Sequence, residues 1–367
     1  MEYFFKHNSF TGLDGNEILP TTLIYIFIPR LLAGWKNLSY ISYLSAATLV
    51  NLLVIFLTLV VVKKKSSSLQ SWLFLILVLA IGPILLFRFD TIVALFVLLS
   101  LYLFSKKRII SSAIFLSLAT SMKIYPIILL PYLGLILMYQ KSFKRILIYL
   151  FYFLLFMALP IIIFFLLGGN LKQILSAMEF HGLKYVSIES LPGSLLTASS
   201  LIFNHRPPDL LGGYGIWGIT TPLIKTLGLK VFNYFWVLPV SFFYLFIIKN
   251  RKYLAKLYPS VCFSLVLFFL VFSKNLHPQY IWWFLSIFPF IKITAFNRYK
   301  YLFMFILLVF ISIFNQLVYP LFYTQFIDDF FQHNRYYEVF YALLIRNFLI
   351  VCLLIVSLKN EFPKKTL

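Results

Sequence analysis

The residues best suited to chemistry in this chain gather in a few short stretches. Arg88 and Asp90 open one apolar run, and Lys123 with Tyr125 lies at the mouth of the next two. His181, Lys184 and Glu189 share a further stretch, and Lys274, His277, Gln279 and Tyr280 crowd another. Asp14 and Glu17 add two carboxylates near the N-terminus. A positioned carboxylate takes a proton from a hydroxyl. An ammonium suits phosphate as a point charge. Together these groups fit a reaction in which a hydroxyl attacks and a phosphate is held.

Each group also has a plainer use. Asp90 suits a helix N-terminus, where the dipole favours a carboxylate, with Arg88 as its interfacial partner. Lys123 has the length to snorkel to a membrane surface. His181, Lys184 and Glu189 fit a solvated loop. Lys274 and His277 stand beside Trp282 and Trp283, which read as an interfacial aromatic belt. Asp328 and Asp329 show no metal-ligand spacing, and no metal or other cofactor is expected.

The elements that must position these residues are apolar. Of 367 residues, 62% are hydrophobic, 20% aromatic and only 12% charged, with a mean hydropathy of +0.93. A soluble domain carries about 25% charged residues. The pattern is that of an all-α, polytopic membrane bundle. Apolar runs give about eleven spans, at 41–62, 71–87, 91–105, 109–122, 124–139, 146–168, 231–248, 257–273, 280–294, 301–319 and 339–358. The net charge of +21 does not signal nucleic acid, because the basic residues fall in short turns between apolar runs.

Those turns set an orientation. Lys63 to Lys65, Lys106 to Arg108, Lys141 to Arg145, Lys249 to Lys256, Lys292 to Lys300 and Lys359 to Lys365 occupy every second connection. These connections, and the C-terminus, are therefore expected to face the cytoplasm. Every acidic residue except Glu361 falls on the other side. The candidate chemistry is thus expected at the extracytoplasmic face of a cell membrane. Cys262 and Cys352 lie in apolar runs and read as buried thiols.

The chain reads as one integral membrane domain, residues 1–367. Residues 1–40 form an outer segment in which Pro20 to Trp35 reads as an interfacial helix. Residues 41–168 are a six-span half and residues 231–367 a five-span half. Residues 169–230 are too long for a mere connection and should hold re-entrant or interfacial helices. Within them Asn204 to Gly215, rich in Pro and Gly, reads as a surface loop. An outside N-terminus with no apolar run before it implies that a further helix precedes this chain.

No Gly-rich phosphate loop or nucleotide-binding domain is visible. A reaction on the outer face then calls for a lipid-linked donor, whose phosphate the basic residues would hold. A lipid-linked-sugar transporter shares many of these features. It should place ionisable groups near midplane in broken helices, whereas here they gather at span ends.

Several segments resemble one family. FRFDTIVALFVLLSLYLF (87–104), followed by LATSMKIYPIILLP (118–131), is similar to the pattern of glycosyltransferase family 87, in the GT-C superfamily. EILPTTLIYIFIP (17–29) looks like its outer segment, without the family's Tyr-Pro-Pro. HGLKYVSIESLPGSLL (181–196) resembles its His-x-x-Arg-Gly-x-x-x-Glu-Ser segment, with Lys184 near the Arg position. SKNLHPQYIWWFLSIFP (273–289) resembles its Ser-Pro-Gln-Tyr segment.

The resemblance implies a polyprenyl-phosphate sugar as donor, with mannose expected because the family includes a mannosyltransferase. It implies a lipid or glycan hydroxyl as acceptor and an inverting reaction. The family's acidic base follows a first helix that is expected to precede this chain, which leaves Asp90, Asp14 and Glu17 as candidates. Arg88, Lys123, Lys184 and His277 would contact phosphate or headgroup, and Glu189 would orient the acceptor. A truncated, inactive member of the family is the remaining alternative.

Overall fold

The computed structural model describes residues 19–34, 39–166, 168–213, 216–250, 258–294 and 297–359. Asp14 and Glu17 therefore lie outside the described residues. The chain is a helical bundle. Its first half runs α1 (Pro20–Ala33), α2 (Tyr40–Lys65), α3 (Ser68–Ile81), α4 (Asp90–Ser105), α5 (Ile109–Met122), α6 (Leu130–Tyr139) and α7 (Phe143–Leu166). The middle holds α8 (Leu171–Leu183), β1 (Val186–Ser187), α9 (Leu191–Asn204), β2 (Asp209–Gly213), β3 (Ile216–Thr220), α10 (Pro222–Leu227) and α11 (Leu229–Tyr234). The second half runs α12 (Val237–Lys249), α13 (Tyr258–Phe272), α14 (Ile281–Leu285), α15 (Arg298–Gln316) and α16 (Tyr337–Leu358).

Local chemistry sets the helix ends. Ser67 and Gln70 form a reciprocal capping box at the start of α3. The Gln70 side chain also donates to the carbonyls of Pro289 and Ile291, at 2.9 and 2.6 Å. Lys63, Lys64 and Lys65 fill the last turn of α2, where cations offset the helix dipole. Small residues bring α4, α5 and α7 close. The Ser100 hydroxyl donates to the Ser112 carbonyl at 2.9 Å, and Ser117 to Phe153 at 2.7 Å.

Among the described residues, six helical stretches are long and apolar enough to cross a membrane: Tyr40–Lys65, Ser68–Leu86, Phe143–Leu166, Leu229–Lys249, Arg298–Leu321 and Tyr337–Leu358. The inner ones, Asp90–Ser105, Ile109–Met122, Tyr125–Tyr139 and Tyr258–Phe272, are shorter. With 16 residues in α4 and 14 in α5, these reach only about 21–24 Å, against a hydrocarbon core of about 30 Å. All four end on one cavity, at Asp90, Met122, Tyr125 and close to Ser273. The cavity is the missing length, a notch cut into one end of the bundle.

The run at 280–294 is not one continuous helix. It is a 3₁₀ turn (Pro278–Tyr280), α14 and a second 3₁₀ turn (Phe288–Phe290). Pro278 and Pro289 interrupt it, because proline removes a backbone donor. Nor do its tryptophans form an interfacial belt. Trp282 and Trp283 are 0% and 3% exposed and sit in the core. Cys262 is buried and Cys352 half-buried, and among the described residues neither is in a disulfide.

The stretch read as a surface loop contains a strand. β2 and β1 flank β3 in an antiparallel sheet, with Asp209 opposite Thr220 and Val186 opposite Ile219. The glycines that suggested a loop serve close approach instead. A Cβ at Gly212 would lie 2.8 Å from the Trp217 ring.

The turn between β1 and α9 is the tightest point near the cavity. Ser190 caps α9, accepting from the Gly193 N–H at 3.1 Å and donating to the Ser187 carbonyl at 2.7 Å. A Cβ at Gly193 would lie 2.0 Å from that same carbonyl oxygen. Gly193→Ala is expected to destabilise the protein by about 1–3 kcal/mol, read as a lowered thermal unfolding midpoint in detergent.

Candidate active site

The cavity has a volume of about 1320 Å³. It brings together all the candidate residues that fall within the described chain. Arg88, Asp90, Lys123 and Tyr125 come from the α4–α5 end. His181, Lys184 and Glu189 come from the segment after α8, and Lys274, His277, Gln279 and Tyr280 from the loop after α13. Four cations therefore face two carboxylates, and the surplus of positive charge suits a phosphate.

Asp90 and Lys123 meet because α4 and α5 form an antiparallel hairpin. One is the first residue of α4, and the other follows the last residue of α5. Lys123 Nζ donates to Asp90 Oδ1 at 2.7 Å, and Trp283 Nε1 donates to the same oxygen at 2.8 Å. Asp90 Oδ2 is buried with no hydrogen-bond partner among the described residues. The ammonium also lies 4.5 Å from the Tyr280 ring, 4.8 Å from Phe89 and 5.1 Å from Trp283. Such an aromatic cage holds a cation through the ring quadrupoles. Tyr125, Trp283 and Tyr280 stack, with centroid spacings of 3.8 and 4.0 Å.

The aromatic strip leads to the second carboxylate. His277 meets Tyr280 edge-on at 4.9 Å, and its Nδ1 lies 3.7 Å from Glu189 Oε2. Glu189 is 3% exposed, and its Oε1 is buried without a hydrogen-bond partner among the described residues. Lys274 is turned to a structural use. Its ammonium donates to the carbonyls of Gly182, at 3.1 Å, and Lys184. This fixes the turn that carries His181 and Lys184. Burial, with the nearby Lys184 charge second, pushes Lys274 down to about 8. Tyr323, on the cavity wall, is raised by burial and then by the Glu189 charge. Arg88 is exposed at the cavity lining, and Asp328 is exposed on a segment outside it.

Several important groups lay hidden in the sequence. Asn51 of α2 accepts from Tyr25 at 2.9 Å and Thr91 at 2.6 Å, and donates to the Leu86 carbonyl at 2.8 Å. It ties the start of α4 to α1 and α3. Asn51 is a lone amide in an apolar run, which is the signal that would have found it. Arg346 is a lone guanidinium in the apolar run of α16, and it is fully buried. Ionisable groups at such positions are costly and usually functional. Its bonds reach Asn315, Asn347 and the Glu189 carbonyl.

Lys274 makes the site pH-sensitive in a defined direction. Its folded pKa lies below the ordinary lysine value, so the unfolded chain binds more protons between about pH 8 and 10.4. Stability from this group should therefore rise with pH across that window. Lys274→Met should flatten this rise, which thermal unfolding of both proteins against pH will measure.

The family model of glycosyltransferase family 87 matches residues 20–273, which covers the α1 segment, the α4–α5 hairpin and the Glu189 turn. Searches of curated proteins and of solved structures return no match. The matched span is well over half of the chain and carries Asp90, Lys123, Lys184 and Glu189, so the chain belongs to glycosyltransferase family 87.

Proposed function

We propose that this protein transfers a sugar, mannose as the first candidate, from a polyprenyl-phosphate donor to the hydroxyl of a lipid or glycan. The observation that carries this reading is the notch itself. An apolar bundle of a glycosyltransferase family ends in a cavity with Arg88, Lys123, Lys184 and Lys274 beside Asp90 and Glu189. A lipid phosphate brings an apolar tail for the bundle and an anion for the cations. A hydroxyl acceptor needs a carboxylate to take its proton.

The reaction is a single displacement with inversion. The acceptor oxygen attacks the anomeric carbon as the bond from that carbon to the phosphate oxygen breaks. The leaving phosphate gains charge, and cations aimed at it lower the barrier. Lys123 donates one of its three ammonium protons to Asp90. The Asp90 carboxylate thus keeps Lys123 in place as well as facing the cavity. Asp14 and Glu17, the other carboxylates considered, stand outside the described residues.

The basic turns support an orientation. Lys63 to Lys65, Lys106 to Arg108 and Lys141 to Arg145 lie at the helix ends opposite the notch. By the positive-inside tendency the notch faces away from the cytoplasm, in a cell membrane, and Leu358 at the end of α16 faces inward.

A transporter of lipid-linked sugars is the second reading. It is favoured by the way charged groups cap shortened helices below the bundle end, as broken helices do in transporters.

Purified protein in proteoliposomes, given radiolabelled polyprenyl-phosphate mannose with and without a membrane-lipid extract, decides between them. Acceptor-dependent label in a new lipid or glycan is expected. Asp90→Ala should lower it about 100-fold and weaken phosphate binding by releasing Lys123. Movement of intact donor across the bilayer without transfer would point to the transporter. Neither outcome with mannose or other hexosyl donors would contradict the reading.

A further inference from the structure

On the glycosyl-transfer reading, we propose that the wall of the notch around Gly182 is a sugar-recognition subsite. In it Asn233 and Asn275 join Glu189 in accepting hydrogen bonds from the hydroxyls of one sugar ring. The subsite needs from that reading only that a sugar enters the notch.

Glu189 Oε1, Asn233 Oδ1 and Asn275 Oδ1 are all buried with no hydrogen-bond partner among the described residues. The three residues line the notch, and Glu189 is 3% exposed. They come from separate elements: Asn233 near the end of α11, Asn275 in the loop after α13, and Glu189 in the turn after β1. Hydrogen bonds tie these elements into one wall. Asn233 Nδ2 donates to the Gly182 carbonyl at 3.0 Å, and the same carbonyl accepts from Lys274 Nζ at 3.1 Å. The Lys274 carbonyl accepts from the Ser187 N–H at 3.0 Å, and Ser187 Oγ accepts from the Glu189 N–H at 3.3 Å. Asn275 follows Lys274, and its N–H donates to Ser273 Oγ at 3.3 Å. The bond from Asn233 Nδ2 to Gly182 also sets which way that amide points, so its oxygen is the atom left over.

A buried oxygen without a partner is costly to keep. All three atoms are acceptors, so the group that satisfies them must donate. The phosphodiester of a lipid-linked sugar offers only acceptor oxygens. A cationic ligand would meet the charges of Lys184 and Lys274, which stand on the same wall. A neutral hydroxyl remains, and a sugar ring carries several at fixed spacing. Asp90 and Tyr125 stand apart from this wall, beside Lys123. They lie at the other end of the strip formed by Tyr125, Trp283, Tyr280 and His277. The notch thus has a cation end suited to phosphate and an oxygen end suited to hydroxyls. The sugar belongs to the donor or to the acceptor, and the two sources give different readouts.

The test uses the full-length protein in proteoliposomes. It measures binding of bare polyprenyl phosphate, binding of polyprenyl-phosphate mannose, and transfer kinetics. Asn233→Leu and Asn275→Leu each remove an oxygen while keeping the bulk. Each is expected to weaken one sugar-bearing ligand about 3- to 10-fold. For an acceptor sugar, KM for the membrane-lipid extract rises by that factor. For a donor sugar, the margin by which polyprenyl-phosphate mannose outbinds bare polyprenyl phosphate shrinks by that factor instead. Bare polyprenyl phosphate should bind each variant within about twofold of wild type, a split that a merely structural role would not give. Asn275→Asp keeps an acceptor oxygen and should restore most of the affinity that Asn275→Leu loses.

Leucine variants that leave both the acceptor KM and the donor margin within about twofold of wild type would overturn the subsite and leave the transfer reading standing. A parallel loss of bare polyprenyl phosphate binding would overturn it too, because the amides would then serve the phosphate or the fold. So would Asn275→Asp losing as much as Asn275→Leu. A wild-type protein that transfers no sugar from any hexosyl donor, yet binds polyprenyl-phosphate mannose through Asn275, would end the transfer reading and keep the subsite.

Discussion

The cavity depends on keeping one ion pair below the end of an apolar bundle. Taking an ammonium and a carboxylate out of bulk water costs several kcal/mol per ion, and their attraction repays this only with good geometry and further hydrogen bonds. Asp90 and Lys123 receive both. The pair is 2.7 Å apart, the Trp283 N–H supplies a second donor to the same oxygen, and three aromatic rings surround the ammonium. Much else near the cavity follows from this. The short helices α4 and α5 must end at that depth, Trp283 must be buried rather than interfacial, and Asn51 must hold Thr91, the residue after Asp90.

The two carboxylates on the cavity, Asp90 and Glu189, have different neighbours. Asp90 is bound to a cation, so it organises charge. Glu189 Oε2 lies 3.7 Å from the His277 imidazole. The strip of Tyr125, Trp283, Tyr280 and His277 joins them into one surface. Lys274, also on the cavity wall, holds the carbonyls of Gly182 and Lys184. Of the other cations, Arg88 is exposed at the cavity lining, and Lys184 is buried and faces the Phe180 ring at 5.3 Å.

Much of the bundle was legible because its signals are local. Apolar run length marks helices, and Lys and Arg in alternate turns mark which helix ends lie together. That is why four distant stretches were expected on one face, and one cavity of the structure contains them. The pairings were not legible, because they depend on which helices touch. Nothing near Asp90 in the chain points to Trp283, some 190 residues away. Tryptophans beside an outer turn follow the usual pattern of an interfacial belt, and only packing reveals their burial. Arg346 and Asn51 were readable in principle, as single polar residues inside apolar runs. Asp209–Gly213 misled for a physical reason, since glycine serves both a loop and a strand on which an aromatic ring lies flat.

The central claim is that the notch receives a lipid phosphate beside the two carboxylates. The most direct measurement is an experimental structure of the protein in a lipid nanodisc with polyprenyl phosphate. Phosphate density is expected within contact distance of Lys123 or Lys184, with the tail running out between helices. Polyprenyl phosphate bound only on the outer surface of the bundle, with the cavity holding water alone, would contradict it.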